Sequence, residues 1–384
     1  MNSLIIQPVR TIDDRRQFLS LPWKVYADDP FWVPPIFSER MHFIDPKQHP
    51  FFEHAEVEFF LAKRGSEVVG TIGAFINHRH NDFQEENIGF FGFFEVLDDP
   101  EAAAALLEMA ENWVRERGHD AIRGPAQFST NEECGLLVDG FNDPPRILMT
   151  YNPLRYVDYI EQHGYTKAMD LHAYTLDTNI FDGGSKFPQK LIRVVEKIKE
   201  KGDIRIRKVD MKHFDLEVER VRKIYNQSWA RNWGFIPMTD AEFVQMGEEL
   251  HQVLDPDMTL VAEIDGEPIG VSITLPDLNQ PLRLAYPRPE TPEWWTMLKL
   301  VWNWKARKTI SWCRVLILGV LPEYRTRGVD ALFYYETAKA ALKKGIQHVE
   351  MSWILENNDA ISRPIRVMGG EVYKTYRFYE KKLG

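Results

Sequence analysis

Val315 to Asp330 reads V-L-I-L-G-V-L-P-E-Y-R-T-R-G-V-D and decides the fold of this chain. Its uninterrupted apolar run predicts a buried strand, which Pro322 ends. A helical pattern follows over residues 331–344, and Gly328 permits a tight turn where that helix begins. The sequence therefore predicts a strand, a glycine-containing loop and a helix in direct succession.

The loop between this strand and helix has the chemistry of an anion site. A tight turn can aim several backbone N–H groups at one ligand, and the dipole of the following helix adds about half a positive charge. Arg325 and Arg327 contribute two full positive charges. We expect this loop to hold a pyrophosphate.

The elements after this loop extend the pattern. Gly345 ends the helix, residues 348–355 alternate as a strand, and Glu356-Asn357-Asn358-Asp359 opens another helix that ends at Gly369-Gly370. A final strand is predicted over residues 371–380.

This order of elements resembles the C-terminal half of a domain of the GNAT acyltransferase superfamily. The acyl-CoA motif of that superfamily is a strand ending in V-x-P, followed by R/Q-x-x-G-x-G/A and a helix. Val320, Pro322, Arg325 and Gly328 match it, whereas Asp330 stands where the superfamily prefers Gly or Ala. A carboxylate there repels phosphate, so Asp330 either points away or weakens the site. The resemblance covers roughly residues 204–383.

The resemblance implies acetyl-CoA or another acyl-CoA as co-substrate. It places backbone contacts on the end of the strand, phosphate contacts on the loop, and a pantetheine contact on an Asn early in the last helix. The implied cofactor-binding residues are Leu318, Gly319, Val320, Leu321, Arg325, Thr326, Arg327, Gly328, Val329, Asp330, Asn357 and Asn358.

The catalytic residues are less well indicated. A Tyr about four residues before the Gly of the last helix commonly protonates the leaving thiolate in this superfamily, and Ile365 occupies that position here. Tyr324, Tyr373 and Tyr376 are the candidate replacements, and spacing does not choose among them. Glu132 is a further catalytic candidate. Two cysteines, Cys134 and Cys313, are too few for a zinc ligand set, so no metal is expected.

Composition sets the frame for these assignments. The 384 residues predict two domains, and 47 basic against 57 acidic side chains give a net charge of −10. That charge argues against nucleic acid as a partner. Neither a basic leader segment nor an apolar run of membrane-spanning length is apparent, and the two cysteines do not indicate a disulfide framework. We expect a cytoplasmic protein.

The first half repeats the layout of the second with one difference. Strands and helices follow in the GNAT order from Leu4 to Gly164, but Leu97-Asp98-Asp99-Pro100-Glu101 stands where the phosphate loop belongs. Three carboxylates without a glycine or an arginine make a poor pyrophosphate site. This half is predicted to lack an acyl-CoA loop.

The predicted fold is therefore α/β, with two GNAT-like domains, each a mixed, mostly antiparallel sheet flanked by helices. The predicted domains are residues 1–178 without the acyl-CoA loop and residues 204–384 with it. Residues 179–203 form a linker and a basic amphipathic helix, which either bridges the domains or docks an acidic partner.

Two segments exceed a minimal GNAT domain. The first, residues 124–145, offers Ser129, Asn131, Glu132, Glu133 and Asp139, either as acceptor ligands or as turn-capping groups. The second is an insertion from Pro276 to Thr309 that carries Trp294, Trp295, Trp302 and Trp304. Burial between the domains is the favoured explanation of its apolar helix, and an apolar acceptor pocket or a membrane surface are the alternatives.

The sequence thus predicts an N-acyltransferase that moves an acetyl or other acyl group from acyl-CoA to an amine. The acceptor would be a small molecule or a peptide, and the tryptophan-rich insertion points to a hydrophobic one. A Fem-type aminoacyl transferase and a non-enzymatic binding protein with a degenerate GNAT fold are the two alternatives; Asp330 and the missing Tyr favour the second of them.

Overall fold

The computed structural model describes residues 3–384, and its internal contacts divide the chain into two compact units. The first unit contains the residues up to Leu171 together with Asn279–Lys308 and Lys374–Gly384. The second contains His172–Leu278 and Thr309–Tyr373. The predicted domain limits at residues 178 and 204 stay a prediction. Residues 1 and 2 of the predicted first domain lie outside the part of the chain that the structure describes.

Among the described residues, the first unit contains one group of paired strands, six α-helices and the two α-helices of the insertion. Its strands are β1 (Leu4–Pro8), β2 (Ala55–Arg64), β3 (Glu67–Asn77), β4 (Ile88–Val96), β5 (Ala121–Gly124), β6 (Leu136–Asp139), the first half of β7 (Thr166–Asp177) and most of β13 (Glu371–Lys382). Its helices are α1 (Ile12–Ser20), α2 (Pro22–Val25), α3 (Phe37–Phe43), α4 (His78–Gln84), α5 (Pro100–Arg115), α6 (Arg155–Gln162), α10 (Asn279–Ala285) and α11 (Glu293–Val301).

The sheet of the first unit has the order β1-β2-β3-β4-β5-β13, and β6 adds to β13. Its neighbouring strands are antiparallel except β4 and β5, which run parallel because α5 connects them as a crossover. The apolar face of α5, with Leu106, Leu107 and Val114, packs in the core with Ile72 and Phe91 of the sheet.

The second unit repeats this arrangement. Its strands are the end of β7, β8 (Arg205–Lys208), β9 (Thr259–Ile264), β10 (Glu267–Pro276), β11 (Trp312–Val320), β12 (His348–Leu355) and the start of β13. Its helices are α7 (Gln189–Lys201), α8 (Phe214–Trp229), α9 (Asp240–His251), α12 (Val329–Lys343) and α13 (Asp359–Val367).

In the second unit β8, β9, β10 and β11 are antiparallel neighbours in that order, and β12 runs parallel to β11 after the α12 crossover. Cys313 of β11 and Val349 and Met351 of β12 contribute to one core, which α7 enters through Leu191, Val195 and Ile198. The amphipathic helix predicted as a bridge thus packs into the core of the second unit through its apolar face.

The structure confirms the predicted fold class, since each unit is a mixed, mostly antiparallel sheet with flanking helices. The strands and helices around the Val315–Asp330 stretch lie within three residues of their predicted limits. Strand β7 was not predicted, although its alternation of Asp170 and His172 with apolar residues favours a strand.

A carboxyl group lies inside the first unit. Glu95 of β4 accepts hydrogen bonds from the hydroxyls of Tyr26 at 3.1 Å and Tyr156 at 2.9 Å. Burial disfavours the charged form and raises the pKa of Glu95 to about 7, although both hydroxyls act in the other direction.

This shift predicts a pH-dependent stability. Because the folded pKa of Glu95 lies above the unfolded value, its stabilising contribution is complete below the unfolded pKa and is lost as the pH rises through about 7. Urea unfolding at pH 5 and pH 8 should show wild type losing stability relative to Glu95→Gln at the higher pH. The exposed Glu67→Gln is the control, and an equal difference at both pH values would contradict the assignment.

Candidate active site

The central feature of the second unit is a place where two parallel strands stop pairing. β11 and β12 pair from Trp312–His348 to Val315–Met351. Beyond that last pair the two strands continue, to Val320 and Leu355, without described pairing between them. We call this divergence the fork. Backbone N–H and C=O groups beyond it can pair with an extended ligand that carries amides, as the pantetheine arm of CoA does.

The loop that follows β11 has the backbone of an anion site. Pro322–Arg327 forms a 3-10 turn, and Gly328, with φ of +79°, begins α12. We call residues 322–328 the Arg-Gly loop. A side chain at Gly328 would be strained by that φ and would lie 2.8 Å from the Cδ1 atom of Ile198 in α7. Glycine therefore allows α7 to pack against the loop.

The two arginines of the Arg-Gly loop have partners within the protein. The Arg325 guanidinium donates to the carbonyl oxygens of Ser228 at 2.6 Å and Val320 at 3.3 Å, which ties the loop to the end of α8. Arg327 forms an exposed ion pair with Asp203 at 3.4 Å. Exposed pairs contribute about 0–1 kcal/mol, so a phosphate could readily replace Asp203 as the partner of Arg327.

Asp330 lies in the first turn of α12, where the loop would meet a phosphate. Burial raises the pKa of Asp330, while the backbone N–H groups of Ala331 and of Asp330 itself act to lower it. A carboxylate at the first turn of a helix would repel a phosphate bound at the same helix start.

The remaining predicted contact residues lie on both sides of the fork. Leu318 to Val320 are in the part of β11 that pairs with β10 but no longer with β12, and Leu321 follows them. On the other side, Asn358 caps α13 by accepting the Ile361 N–H at 3.4 Å, and Asn357 is exposed. Thr326 is exposed in the loop, and Val329 is buried at the start of α12. Their roles toward CoA stay predictions.

The four predicted catalytic candidates are not brought together within one unit. Tyr324 and Tyr373 belong to the second unit, whereas Glu132 and Tyr376 belong to the first. Tyr324 is half-buried in the Arg-Gly loop, and Tyr376 is fully buried in β13. Of the four, Tyr373 alone donates a hydrogen bond to a buried carboxylate, that of Glu350.

A buried polar network at the closed end of the fork was missed by the sequence reasoning. Glu350 is 0% exposed and Arg314 1%. The Arg314 Nε donates to the Ser352 hydroxyl at 2.9 Å, and that hydroxyl donates to Glu350 at 2.7 Å. We call Arg314, Glu350, Ser352 and Tyr373 the buried network. The sequence did contain a signal for this network, because Arg314 and Glu350 each stand inside an apolar strand. A buried charge requires a partner.

The buried network lies on one face of the sheet. Cys313, Val349 and Met351 belong to the apolar core, so their alternating neighbours Arg314 and Glu350 face the other way. α8 covers β11 at the same fork: a Cβ on Gly319 would lie 2.5 Å from the Trp229 ring. Gly319 is thus required for the close approach of Trp229, a second contact that sequence reasoning missed.

The first unit also has parallel strands that diverge, but its own backbone fills the gap. β4 and β5 pair only from Ile88–Ala121 to Phe90–Arg123. The Ala126 N–H then donates to the Phe91 carbonyl at 2.9 Å, and a Cβ on Gly92 would overlap the Ala126 carbonyl. In the carboxylate-rich segment of this unit, Asp99 forms an ion pair with Arg64, with the Nε and Oδ2 atoms 2.7 Å apart. Helix α5 follows Asp99 directly. That the first unit does not accept acyl-CoA stays a prediction.

The extra loop of the first unit is held by its own hydrogen bonds. The Ser129 hydroxyl accepts the Asn131 N–H at 3.1 Å, and the Glu132 N–H donates to the Ser129 carbonyl at 3.2 Å. Glu133 pairs with Arg40 at 3.2 Å, and Asp139 is exposed at the end of β6. These contacts describe the turn-capping alternative, and an acceptor role for this loop stays a prediction.

The favoured burial of the tryptophan-rich helix was wrong. Thr296, Leu300 and Asn303 form its buried stripe, whereas Trp294, Trp295 and Trp302 are exposed. The polar groups of the buried Asn303 are paired within the segment, because its side chain donates to the Lys299 carbonyl at 2.9 Å and accepts from Arg307 at 3.0 Å. The spacing of the apolar residues predicted the helix, but it did not predict which face of the helix is buried.

Among residues 3–384, no group of three or more His, Cys, Asp or Glu side chains is arranged to hold a metal ion. Cys134 and Cys313 are buried and not in a disulfide. In the same described residues, no helix combines the length and apolar character that crossing a membrane requires.

The two units have the fold of tandem GNAT structures, so the predicted fold is confirmed. Over its whole length the chain is similar to a tandem GNAT protein from the clavulanic acid biosynthesis pathway, with a TM-score of 0.58 and 12% identity, covering 100% of this chain and 99% of that one. No family model matches the sequence.

Two relatives are similar enough to show the family. A bacterial ceramide synthase from Caulobacter vibrioides is 37% identical over 385 residues, covering 99% of this chain and 98% of its own. Protein YghO from Escherichia coli is 34% identical over 375 residues, covering 97% and 93%. This chain belongs to the family of the bacterial ceramide synthase and YghO.

The Arg-Gly loop gives a binding prediction. Arg325→Ala and Gly328→Val should each weaken CoA binding, by about 1–3 kcal/mol for a lost charged hydrogen bond or a displaced loop. Isothermal calorimetry measures the effect, with the exposed Arg363→Ala as control. Unchanged affinity in both loop variants would remove the loop from the CoA site.

Asp330 gives a prediction of the opposite sign. Asp330→Gly and Asp330→Asn should bind CoA about two- to tenfold more tightly, and more so at low salt, because a like charge near the phosphates is removed. Asn keeps the side chain's shape, so it separates charge from helix propensity. Weaker binding in both variants would instead make Asp330 a helix cap or an acceptor ligand.

Proposed function

We propose that this protein is an N-acyltransferase that transfers a long-chain acyl group from acyl-CoA to the amine of a long-chain base, forming a ceramide-type amide. The fork beside the Arg-Gly loop supports the acyl-CoA half of the proposal, and the relative named as a bacterial ceramide synthase supports the acceptor. Its identity of 37% extends over nearly the whole length of both chains.

The co-substrate requirement fits the second unit. The end of β11, which no longer pairs with β12, would offer backbone groups to the pantetheine amides. The start of α12 would offer N–H groups to the pyrophosphate. Gly328 allows the tight turn, and Arg327 can exchange Asp203 for a phosphate. Acyl-CoA supplies a thioester carbonyl that an amine can attack.

The chemistry needs a proton acceptor. An ammonium group must lose one proton before its nitrogen attacks the thioester carbonyl, and the nitrogen loses a second proton as the C–S bond breaks. The leaving thiolate takes up one of the two. Because the Tyr of the superfamily is replaced by Ile365, the groups that move these protons must come from elsewhere.

Glu350 is our candidate for the proton acceptor. It lies on β12, one residue before the last paired residue of the fork, on the sheet face opposite the apolar core. Tyr373, which is half-buried, donates to its carboxylate and so connects a buried base to a more accessible hydroxyl. Arg314 and Ser352 hold the other carboxylate oxygen.

The reaction can be tested directly with purified protein. Acyl-CoAs of 2 to 18 carbons are each incubated with a long-chain base or a short soluble amine, and mass spectrometry detects the amide. We expect transfer of long acyl chains to the long-chain base. No amide with any pair, together with measurable CoA binding, would favour a non-enzymatic binding protein, and transfer only from aminoacyl-tRNA would favour the Fem-type alternative.

Glu350→Gln tests the assigned base. It keeps the hydrogen-bonding shape but removes the proton acceptor, so kcat should fall by about 10²–10⁴-fold with little change in CoA affinity. Tyr373→Phe should reduce kcat and alter the pH profile of the reaction. Exposed Glu371→Gln on β13 is the control. A Glu350→Gln enzyme with normal kcat would exclude this role, and circular dichroism checks that its fold is kept.

A further inference from the structure

The helix of the insertion presents its apolar side to solvent. α11 and the π-turn Trp302–Ala306 bury Thr296 and Asn303, which are 3% and 6% exposed. Trp294 and Trp302 are both 64% exposed. A water-facing helix of a folded protein normally does the opposite, so this orientation requires a reason.

The exposed apolar side chains form one continuous face. At 100° per residue they fall within an arc of about 160°, and the buried stripe lies on the opposite side. We call this set the tryptophan face: Trp294, Trp295, Met297, Leu298, Val301 and Trp302. Six large apolar side chains on one exposed helix face mark an interaction site.

The tryptophan face is held in this orientation by the rest of the first unit. Asn279 at the start of α10 donates to the Pro145 carbonyl at 2.9 Å, and the Trp23 indole N–H donates to the Pro287 carbonyl at 2.8 Å. Trp32 contacts the Tyr286 ring edge to face, with centroids 6.4 Å apart. The segment before α11 is therefore anchored, and the face is built outward.

The charge around the tryptophan face is opposite to that of the chain. Residues 279–308 carry six basic and two acidic side chains, a net charge of +4, whereas the whole chain carries −10. Lys299 lies over the Trp295 ring, with its Nζ 5.6 Å from the centroid, and Lys305 lies 3.4 Å over Trp304. Basic groups thus border the apolar side chains directly.

We propose that the tryptophan face docks α11 in the plane of an anionic lipid bilayer, with the indole rings among the headgroups. Tryptophan favours the boundary between headgroups and acyl chains, and lysines beside it pair with anionic headgroups. A second copy of the chain is a poorer partner, because two faces of like charge repel. Docking, rather than spanning, fits a helix of nine residues.

Docking to lipid depends on the exposed tryptophan face and is independent of the proposed acyl transfer. The two are compatible, because a long-chain base and a long acyl chain reside in membranes. A face that lies on lipid would keep the first unit at the source of such an acceptor.

Vesicle flotation tests the proposal with the full-length protein. Vesicles contain either phosphatidylcholine alone or phosphatidylcholine with 30% phosphatidylglycerol (about one lipid in three, to give an anionic surface). We expect wild type to float with the anionic vesicles, less at high salt, and with a blue shift in tryptophan fluorescence. Trp294→Ser/Trp302→Ser should bind at least tenfold more weakly, and Lys299→Glu/Lys305→Glu should lose the preference for anionic lipid.

The matched control is Leu216→Ser/Val244→Ser, which removes two exposed apolar side chains from α8 and α9 of the second unit. It should float like wild type. Absence of wild-type binding, or equal loss in the control, would overturn the proposal. So would a dimer in light scattering that the tryptophan variant abolishes while vesicles are not bound.

An activity measurement separates this proposal from the proposed function. The tryptophan variant should keep wild-type transfer from a long-chain acyl-CoA to a detergent-solubilised long-chain base and lose at least tenfold when the same base is presented in vesicles. If wild type floats but transfers no acyl group, the docking proposal stands and the reaction fails. If the variant is inactive on the detergent-solubilised base while its melting curve is normal, the face belongs to the catalytic machinery instead.

Discussion

The structure of the second unit depends on the interrupted pairing of β11 and β12. Strands in the interior of a sheet normally satisfy every backbone N–H and C=O, so a gap must be held open by the surrounding residues. At its closed end, Arg314, Ser352 and Glu350 form a hydrogen-bonded series between the two strands. Along β11, Trp229 packs on Gly319, and Arg325 ties the following loop to α8.

The two units show how one topology gives different sites. Both have a parallel strand pair joined by a helix, and in both the pairing ends early. In the first unit the backbone after β5 continues along β4, since Ala126 bonds Phe91. That continuation satisfies the groups a ligand would otherwise meet. In the second unit β12 is followed by a turn and α13, and the gap is left to a ligand.

The insertion follows a different physical rule from the two cores. Its helix has the composition of a buried helix but buries only Thr296, Leu300 and Asn303. Polar side chains can be buried when their hydrogen bonds are made, as those of Asn303 are within the segment itself. The apolar side then remains available to a lipid surface, and the surrounding positive charge favours an anionic one.

The sequence alone determined the order of strands and helices from β11 to β13, the fold class, and the loop with Gly328, because these follow from local periodicity and from the backbone freedom of single residues. It also distinguished Leu97–Glu101 as a loop unsuited to phosphate. Tertiary structure alone decided which side of the tryptophan-rich helix is buried, which carbonyls Arg325 bonds, and that Arg314 meets Glu350 across 36 residues of chain. These outcomes depend on neighbours distant in sequence, and a local pattern does not contain them.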